Sequence, residues 1–347
     1  MTFRLRNIPL LLPLLLAACC VPEGGAPPAA LRLPPPQRVR LFFGGDVMQH
    51  LPQVEAARRG TGFDYTEVFA ALAPHMRAAD WAVVNLETTL TAGGSYSGYP
   101  MFRSPVALAD ALRAAGVDVA VLANNHCCDG GGEGIRTTIR ELERCGIRHT
   151  GVFADSADYR RNHPLLLECG GVRCALVNYT YGTNGLPTPS GTLVNRIDTV
   201  CMAADLARAR AAADFVVAVM HWGNEYERRE NPQQRRLADF LRRHGADVVV
   251  GSHPHVVQPW RADSTHVVLY SLGNLVSNQR RRYTDGGLVA YVEASRHLDG
   301  RMTYRLETVP VWVSLPGYRI LTPEAAVAPR DSAAWSRFCE DLRELTD

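Results

Sequence analysis

Apolar runs in this chain repeatedly stop at a side chain able to bind a metal, and that pattern constrains the fold more than any other feature. Asp46 follows LFFGG, Glu87 follows WAVVNL, Asn125 and His126 follow VAVLAN, His221 follows FVVAVM, and His253 and His255 follow VVVGS. Unbroken apolar runs of this length read as strands buried on both faces. The pattern predicts strands at Val39–Val47, Trp81–Leu86, Val117–Ala123, Phe215–Met220, Asp247–Val250 and Val267–Tyr270. Helical periodicity marks Thr66–Ala79, Pro105–Ala115, Gly134–Cys145 and Pro232–Arg243. Gly287–Ala294 and Thr303–Val313 then follow each other with no helix between. Alternation that gives way to consecutive strands predicts an α/β body with an antiparallel completion. Ligands of open α/β sheets sit at the carboxyl ends of the strands, so these side chains are expected to meet.

The donor types indicate the chemistry. Two carboxylates, an amide oxygen and several imidazoles suit a divalent transition metal such as Mn, Zn or Fe, and suit neither a thiolate site nor an all-oxygen calcium cage. Such an ion lowers the pKa of bound water and polarises a phosphoryl or acyl oxygen. Taken singly, a histidine at a strand end is more often structural, and an aspartate after Gly-Gly is usually a turn former or helix cap. Their joint placement reverses that reading. His253-Pro254-His255 is the sharpest element, because residues i and i+2 of an extended backbone share a face; Asn124-Asn125-His126, before the glycines 130–132, is next. The formal charge of +2 over 347 residues offers no polybasic field for nucleic acid. All 37 basic residues are Arg, which excludes P-loop and Schiff-base chemistry, each of which needs a Lys.

The chain begins with features of export. Arg4 and Arg6 precede an apolar stretch, Ile8–Leu16, too short to span a bilayer, and Leu16-Ala17-Ala18-Cys19 resembles a bacterial lipobox. Residues 1–18 are therefore expected to be a signal peptide and Cys19 the lipidated residue, an ordinary secretory signal being the alternative. Either places the protein outside the cytoplasm, in the first case anchored to the cell membrane or outer membrane by acyl chains. Removing Arg4 and Arg6 brings the formal charge to zero, so charge would not help hold it to anionic lipid. Residues 19–38 are rich in proline and read as an extended tether. Residues 39–315 read as one domain, with 316–347 an extension ending in a helix near 330–345. An oxidising location permits disulfides. Cys169 and Cys174 could face each other across a hairpin with a four-residue loop, or remain buried thiols. The adjacent Cys127 and Cys128 cannot readily converge on one metal and stay outside the site.

The blocks GGDVM (44–48), VVNLETTL (83–90), YPMFRSP (99–105), AAGVDVAVLANNHCCDGG (114–131), HWGNEY (221–226), GADVVVGSHPHVVQP (245–259) and LYSLGN (269–274) resemble, in order and spacing, the CapA family of capsule or poly-gamma-glutamate biosynthesis proteins. The resemblance implies a calcineurin-like metallophosphoesterase fold, a four-layer αββα sandwich. It also implies residue roles. Asp46, Glu87 and His255 would hold a first metal. Asn125, His221 and His253 would hold a second, with Glu87 bridging, and His126 would donate a proton to the leaving group or stabilise its charge. This sequence departs from the metallophosphoesterase pattern twice: Met48 stands where D-x-H places a histidine, and Glu87 replaces the bridging Asp. One ion or two therefore remains open, and His50 could substitute only if its loop folds back. Arg103 is a candidate for an anionic substrate and Glu225 for the pocket lining, while Asp129 and Asn274 could orient neighbouring groups. Two readings follow. One is a metal-dependent hydrolase or transferase acting on a phosphoester, amide or ester of an anionic envelope polymer, alongside capsule synthesis or export machinery; the other is a non-catalytic polymer-binding assembly factor on the same fold.

Overall fold

The central strands alternate between two different cores, and that alternation defines the architecture. The computed structural model describes residues 37–325 and 327–345. The expected signal segment, Cys19 and nearly all of the tether lie outside these residues. The strands of the two main sheets are, in chain order, β1 (Gln37–Val47), β2 (Trp81–Leu86), β3 (Val119–Val121), β4 (Arg148–Thr150), β5 (Leu165–Cys169), β6 (Val172–Thr180), β7 (Phe215–His221), β8 (Val248–Ser252), β9 (Trp260–Ala262), β10 (Val267–Leu269), β11 (Asn274–Val276), β12 (Gly286–Arg296), β13 (Met302–Ser314) and β14 (Arg319–Leu321). The first sheet runs β14-β13-β12-β1-β2-β3-β4, with β11 also paired to β1; the second runs β5-β6-β7-β8-β10-β9. The centre of each sheet is parallel, and the β12–β13 pair supplies the antiparallel completion.

Side chains one residue apart point to opposite faces. Val39, Leu41 and Phe43 of β1 and Val83 of β2 pack against Phe215, Val217 and Val219 of β7 and Val248 and Val250 of β8, forming the layer between the sheets. The intervening residues Phe42, Ala82, Val84 and Leu86 face outward, onto helices Ala107–Ala115 and Gly131–Arg144. On the opposite side Val216, Ala218 and Met220 face helices Thr199–Ala212 and Pro232–Arg243. Helix, sheet, sheet, helix: this is the expected four-layer sandwich. Helix Pro329–Arg343 buries Phe338 and Leu342 beside the layer between the sheets. Among the described residues no helix is long and apolar enough to cross a membrane.

Three local expectations are corrected. Thr66–Ala79 is two short helices, Thr66–Phe69 and Ala73–Arg77, because Pro74 lacks the N–H that a continuous helix would need and starts the second one instead. The β5–β6 hairpin turns on Gly170 and Gly171 alone, both at positive φ (58° and 78°), as a two-residue primed turn requires. Cys169 therefore opposes Val172 and Cys174 opposes Leu167, and both thiols are free. His253 and His255 do not lie on extended backbone: their φ values are 98° and 58°, in the left-handed region that branched side chains avoid.

Candidate metal centre

The side chains at the strand ends meet in one buried place. Asp46 ends β1, where a Cβ on the preceding Gly45 would sit 2.0 Å from the Gly273 carbonyl oxygen; only glycine lets the chain pass that close and bring Asp46 beside Asn274. Glu87 follows β2 and is fully buried. His221 ends β7, and the bend after β8 carries His253 and His255. Ring centroids lie 4.8 Å apart for His221 and His253, and 5.9 Å for His253 and His255. Candidate ligand atoms of Asp46, Glu87 and His255 all lie within 4.8 Å of one another, as do those of Glu87, His221 and His253. Glu87 is common to both groups. Asn125 joins the second, its Oδ1 2.8 Å from His221 Nε2.

The hydrogen bonds leave lone pairs facing each other. His221 Nδ1 is 3.0 Å from Ser252 Oγ, a hydroxyl that also reaches the Met220 carbonyl at 3.4 Å. Its Nε2 lies 2.8 Å from Asn125 Oδ1 and 3.6 Å from Glu87 Oε1. His255 Nδ1 lies 3.1 Å from both Asp46 Oδ2 and Asn274 Oδ1, two acceptors that fix its proton there and free Nε2. Among the described residues Glu87 Oε1 and His253 Nδ1 find no hydrogen-bond partner, although both are buried. Burial pushes His221 well below the usual imidazole range and His253 down to about 3, with neighbouring imidazoles adding to both. Burial, reinforced by Asp46, pushes Glu87 well up. Unpaired acceptors converging in a dry site are costly unless a cation sits among them, so this donor set fits a divalent ion. By contrast, a group away from this centre, Glu143 with His149 and Asp158, has its buried carboxylate occupied by Ala154 N, Asn162 Nδ2 and His149 Nε2.

The residues around this centre fall into place unequally. His126 is buried, its Nδ1 2.7 Å from Asp129 Oδ2, which also accepts the Phe102 backbone N–H at 2.6 Å. The Phe102 ring meets the His126 ring edge-on at 4.6 Å. Asn274 holds His255 and is itself held through Nδ2 by Gln279 and the Thr284 carbonyl. Arg103 is half-buried next to Phe102, and among the described residues its guanidinium enters no ion pair or hydrogen bond. Glu225 is exposed, with a carboxylate oxygen within 4.8 Å of ring nitrogens of His253 and His255. His50 does not reach a metal-competent group among the described residues; its Nδ1 faces Gln53 Oε1 at 3.2 Å in a capping box, which leaves it no freedom to fold back. Met48 is buried, 2% exposed.

The profile of the family described as bacterial capsule synthesis protein PGA_cap matches residues 40–279, an interval containing every candidate ligand above. The chain belongs to this family. As a PGA_cap chain it is 29% identical over 288 residues to the capsule biosynthesis protein CapA of Bacillus anthracis, covering 79% of this chain and 67% of that one. It is 30% identical over 275 residues to the PGA biosynthesis protein CapA of Bacillus subtilis, covering 78% and 70%. Among solved structures it resembles a novel phosphatase from Mycoplasma pneumoniae, with a TM-score of 0.50 at 15% identity over 82% of this chain and 96% of that one. That likeness concerns the fold alone.

Several side chains of the PGA_cap site escape a reading of strand ends. Asn85 is buried inside β2, its Nδ2 2.8 Å from Asp46 Oδ1 and 3.2 Å from Glu87 Oε2, so it clamps both carboxylates. Asn124 in turn donates to Asn85 Oδ1 at 3.1 Å and to the Leu86 carbonyl at 2.8 Å. Asn85 had a signal: an amide interrupting an apolar run two residues before Glu87 shares its face. Tyr181, stacked 6.2 Å from His221 at 8° and 4.6 Å from His253, follows a strand end without metal-binding chemistry and had none.

Proposed function

We propose that this protein is a metal-dependent hydrolase or transferase that processes an anionic polymer of the cell envelope, of the capsule or poly-gamma-glutamate type. The observation that carries the reading is Glu87 Oε1: a fully buried, unpartnered carboxylate oxygen between His221 Nε2 and His255 Nε2, 3.6 and 4.0 Å away. Glu87 would be the ligand common to both ions. The names of the two CapA relatives supply the polymer class, and the lipobox-like Cys19 supplies the location, outside the cytoplasm on an acyl anchor, with capsule synthesis or export machinery as the neighbours.

Asp46, Glu87 and His255 would hold one ion and Asn125, His221 and His253 a second, each a divalent Mn, Zn or Fe. Such ions supply Lewis acidity at a phosphoryl or acyl oxygen and acidify a water molecule. The protein's own groups do the rest. Asn85 keeps both carboxylates in position, and Ser252 and Asn274 fix the ring orientations of His221 and His255. Asp129 orients His126 through Nδ1, so that Nε2 faces the leaving group as proton donor. Arg103, with no acidic partner, is available to an anionic substrate.

The test is metal analysis of the purified full chain together with turnover on phosphomonoesters, phosphodiesters and gamma-glutamyl amides. We expect bound transition metal, its loss in His253→Ala, and in His126→Asn retained metal with turnover lowered about 10²-fold or more. Absence of metal that also fails to rebind would overturn the reading. The buried thioether of Met48, where the wider pattern has an imidazole, favours the second reading, a polymer-binding factor without turnover. In that case His126→Asn would leave polymer export by cells unchanged.

A further inference from the structure

Glu225 lies four residues beyond His221 on a segment the fold holds still. The Tyr226 backbone N–H donates to the Pro254 carbonyl at 2.8 Å, tying this segment to the bend that carries His253 and His255. Tyr226 itself sits at φ 67°, a left-handed conformation that a free loop would relax away from. Beneath it Gln258 Nε2 donates to the Glu227 carbonyl at 2.8 Å and to the Arg229 carbonyl at 3.2 Å, while Gln258 Oε1 accepts from Gln234 Nε2 at 2.8 Å. Both glutamines are buried. An exposed carboxylate on a backbone pinned in this way has a fixed reach, and no arginine takes it in an ion pair among the described residues.

That reach ends at the metal centre. A Glu225 oxygen and ring nitrogens of His253 and His255 lie within 4.8 Å of one another, so the three can share one ion. His253 is buried to 4% exposure and its Nδ1 has no hydrogen-bond partner. On the Asp46 side three donors converge among the described residues, Asp46, Glu87 and His255, and position 48 is a methionine. A four-coordinate site lacks one donor there.

We propose that Glu225 is a metal ligand of this chain, closing the open side of the His253–His255 pair. The added carboxylate gives the centre more oxygen than nitrogen donors, which shifts its preference towards Mn²⁺. The proposal rests on the reading that the cluster binds divalent metal, and its test separates the two. Metal-stripped wild type, Glu225→Ala and Glu227→Ala are titrated with Mn²⁺ and with Zn²⁺ by calorimetry, and thermal unfolding of the metal-free forms checks that all three fold. Glu227 is exposed on the same segment, so its loss removes the same charge without removing a reachable ligand. We expect Glu225→Ala to weaken Mn²⁺ binding about tenfold or more, or to drop one ion per chain, with Glu227→Ala staying within about twofold of wild type. Equal affinity in Glu225→Ala and wild type, or equal weakening in the two variants, overturns the assignment of Glu225 alone. Failure of wild type to bind either ion overturns the metal reading with it.

Discussion

At the scale of single residues the centre is held by groups that touch no substrate. Asn85 is the example: it stands between two carboxylates that repel each other and donates to both. The imidazoles have the opposite difficulty, since burial disfavours their charged form. His253 is pushed down to about 3, His50 to about 4, and His221 well below the usual range. In the unfolded chain each would titrate near 6.5, so between that value and about 4 the unfolded state binds protons that the folded state refuses. Stability is then lost as pH falls through this window, by up to about 1.4 kcal/mol per pH unit for each imidazole. Glu87 opposes them: its raised pKa lets the folded state hold a proton that the unfolded state releases, so its contribution improves as pH falls. Three imidazoles outweigh one carboxyl. The metal-free protein is expected to melt at lower temperature near pH 5.5 than near pH 7.5; an equal or higher midpoint at the lower pH would contradict this balance.

At the scale of elements, the close approach of β11 to β1 positions Asp46 against Asn274, and it depends on Gly45. Gly45→Ala puts a Cβ against backbone that cannot rotate away. It is expected to destabilise the protein by about 1–3 kcal/mol or more and to weaken metal binding, both measurable by thermal unfolding with and without added ion. An alanine variant matching wild type in both would show that the strands can separate without moving Asp46. Elements buried on both faces were readable in the sequence because the apolar run is itself the signal: β2 and helix Pro232–Arg243 fall where periodicity puts them. The misread elements are those whose geometry comes from one residue acting on the backbone. Pro74 splits a helix, and two left-handed glycines shorten the β5–β6 turn and thereby keep Cys169 away from Cys174. The ligand candidates were legible for the same reason as the strands, each sitting where an apolar run stops. Among the partners that orient them, Asn274 was legible as a candidate and Asn85 left a signal two residues before Glu87, whereas Ser252 acquires meaning only once β7 and β8 are neighbours.

At the scale of the molecule, the centre draws on both sheets. Asp46, Glu87 and Asn125 come from the first, His221, His253 and His255 from the second. An ion bound there links the two halves of the sandwich and binds the folded state only, a linkage that adds about 2.7 kcal/mol when free metal exceeds its Kd a hundredfold. Chelation is therefore expected to lower the melting temperature by several degrees, and restoring Mn²⁺ or Zn²⁺ to recover it; an unmoved midpoint would mean that the halves meet without help from a cation.

The alternating supply of donors bears on how such a protein can be divided. Cut between β4 and β5, the chain would yield one piece with acidic and amide oxygens and another with imidazoles, and neither would own a complete coordination sphere. A fragment ending between β4 and β5 would also lack β11–β14 of the first sheet, so no such piece keeps a fraction of the chemistry.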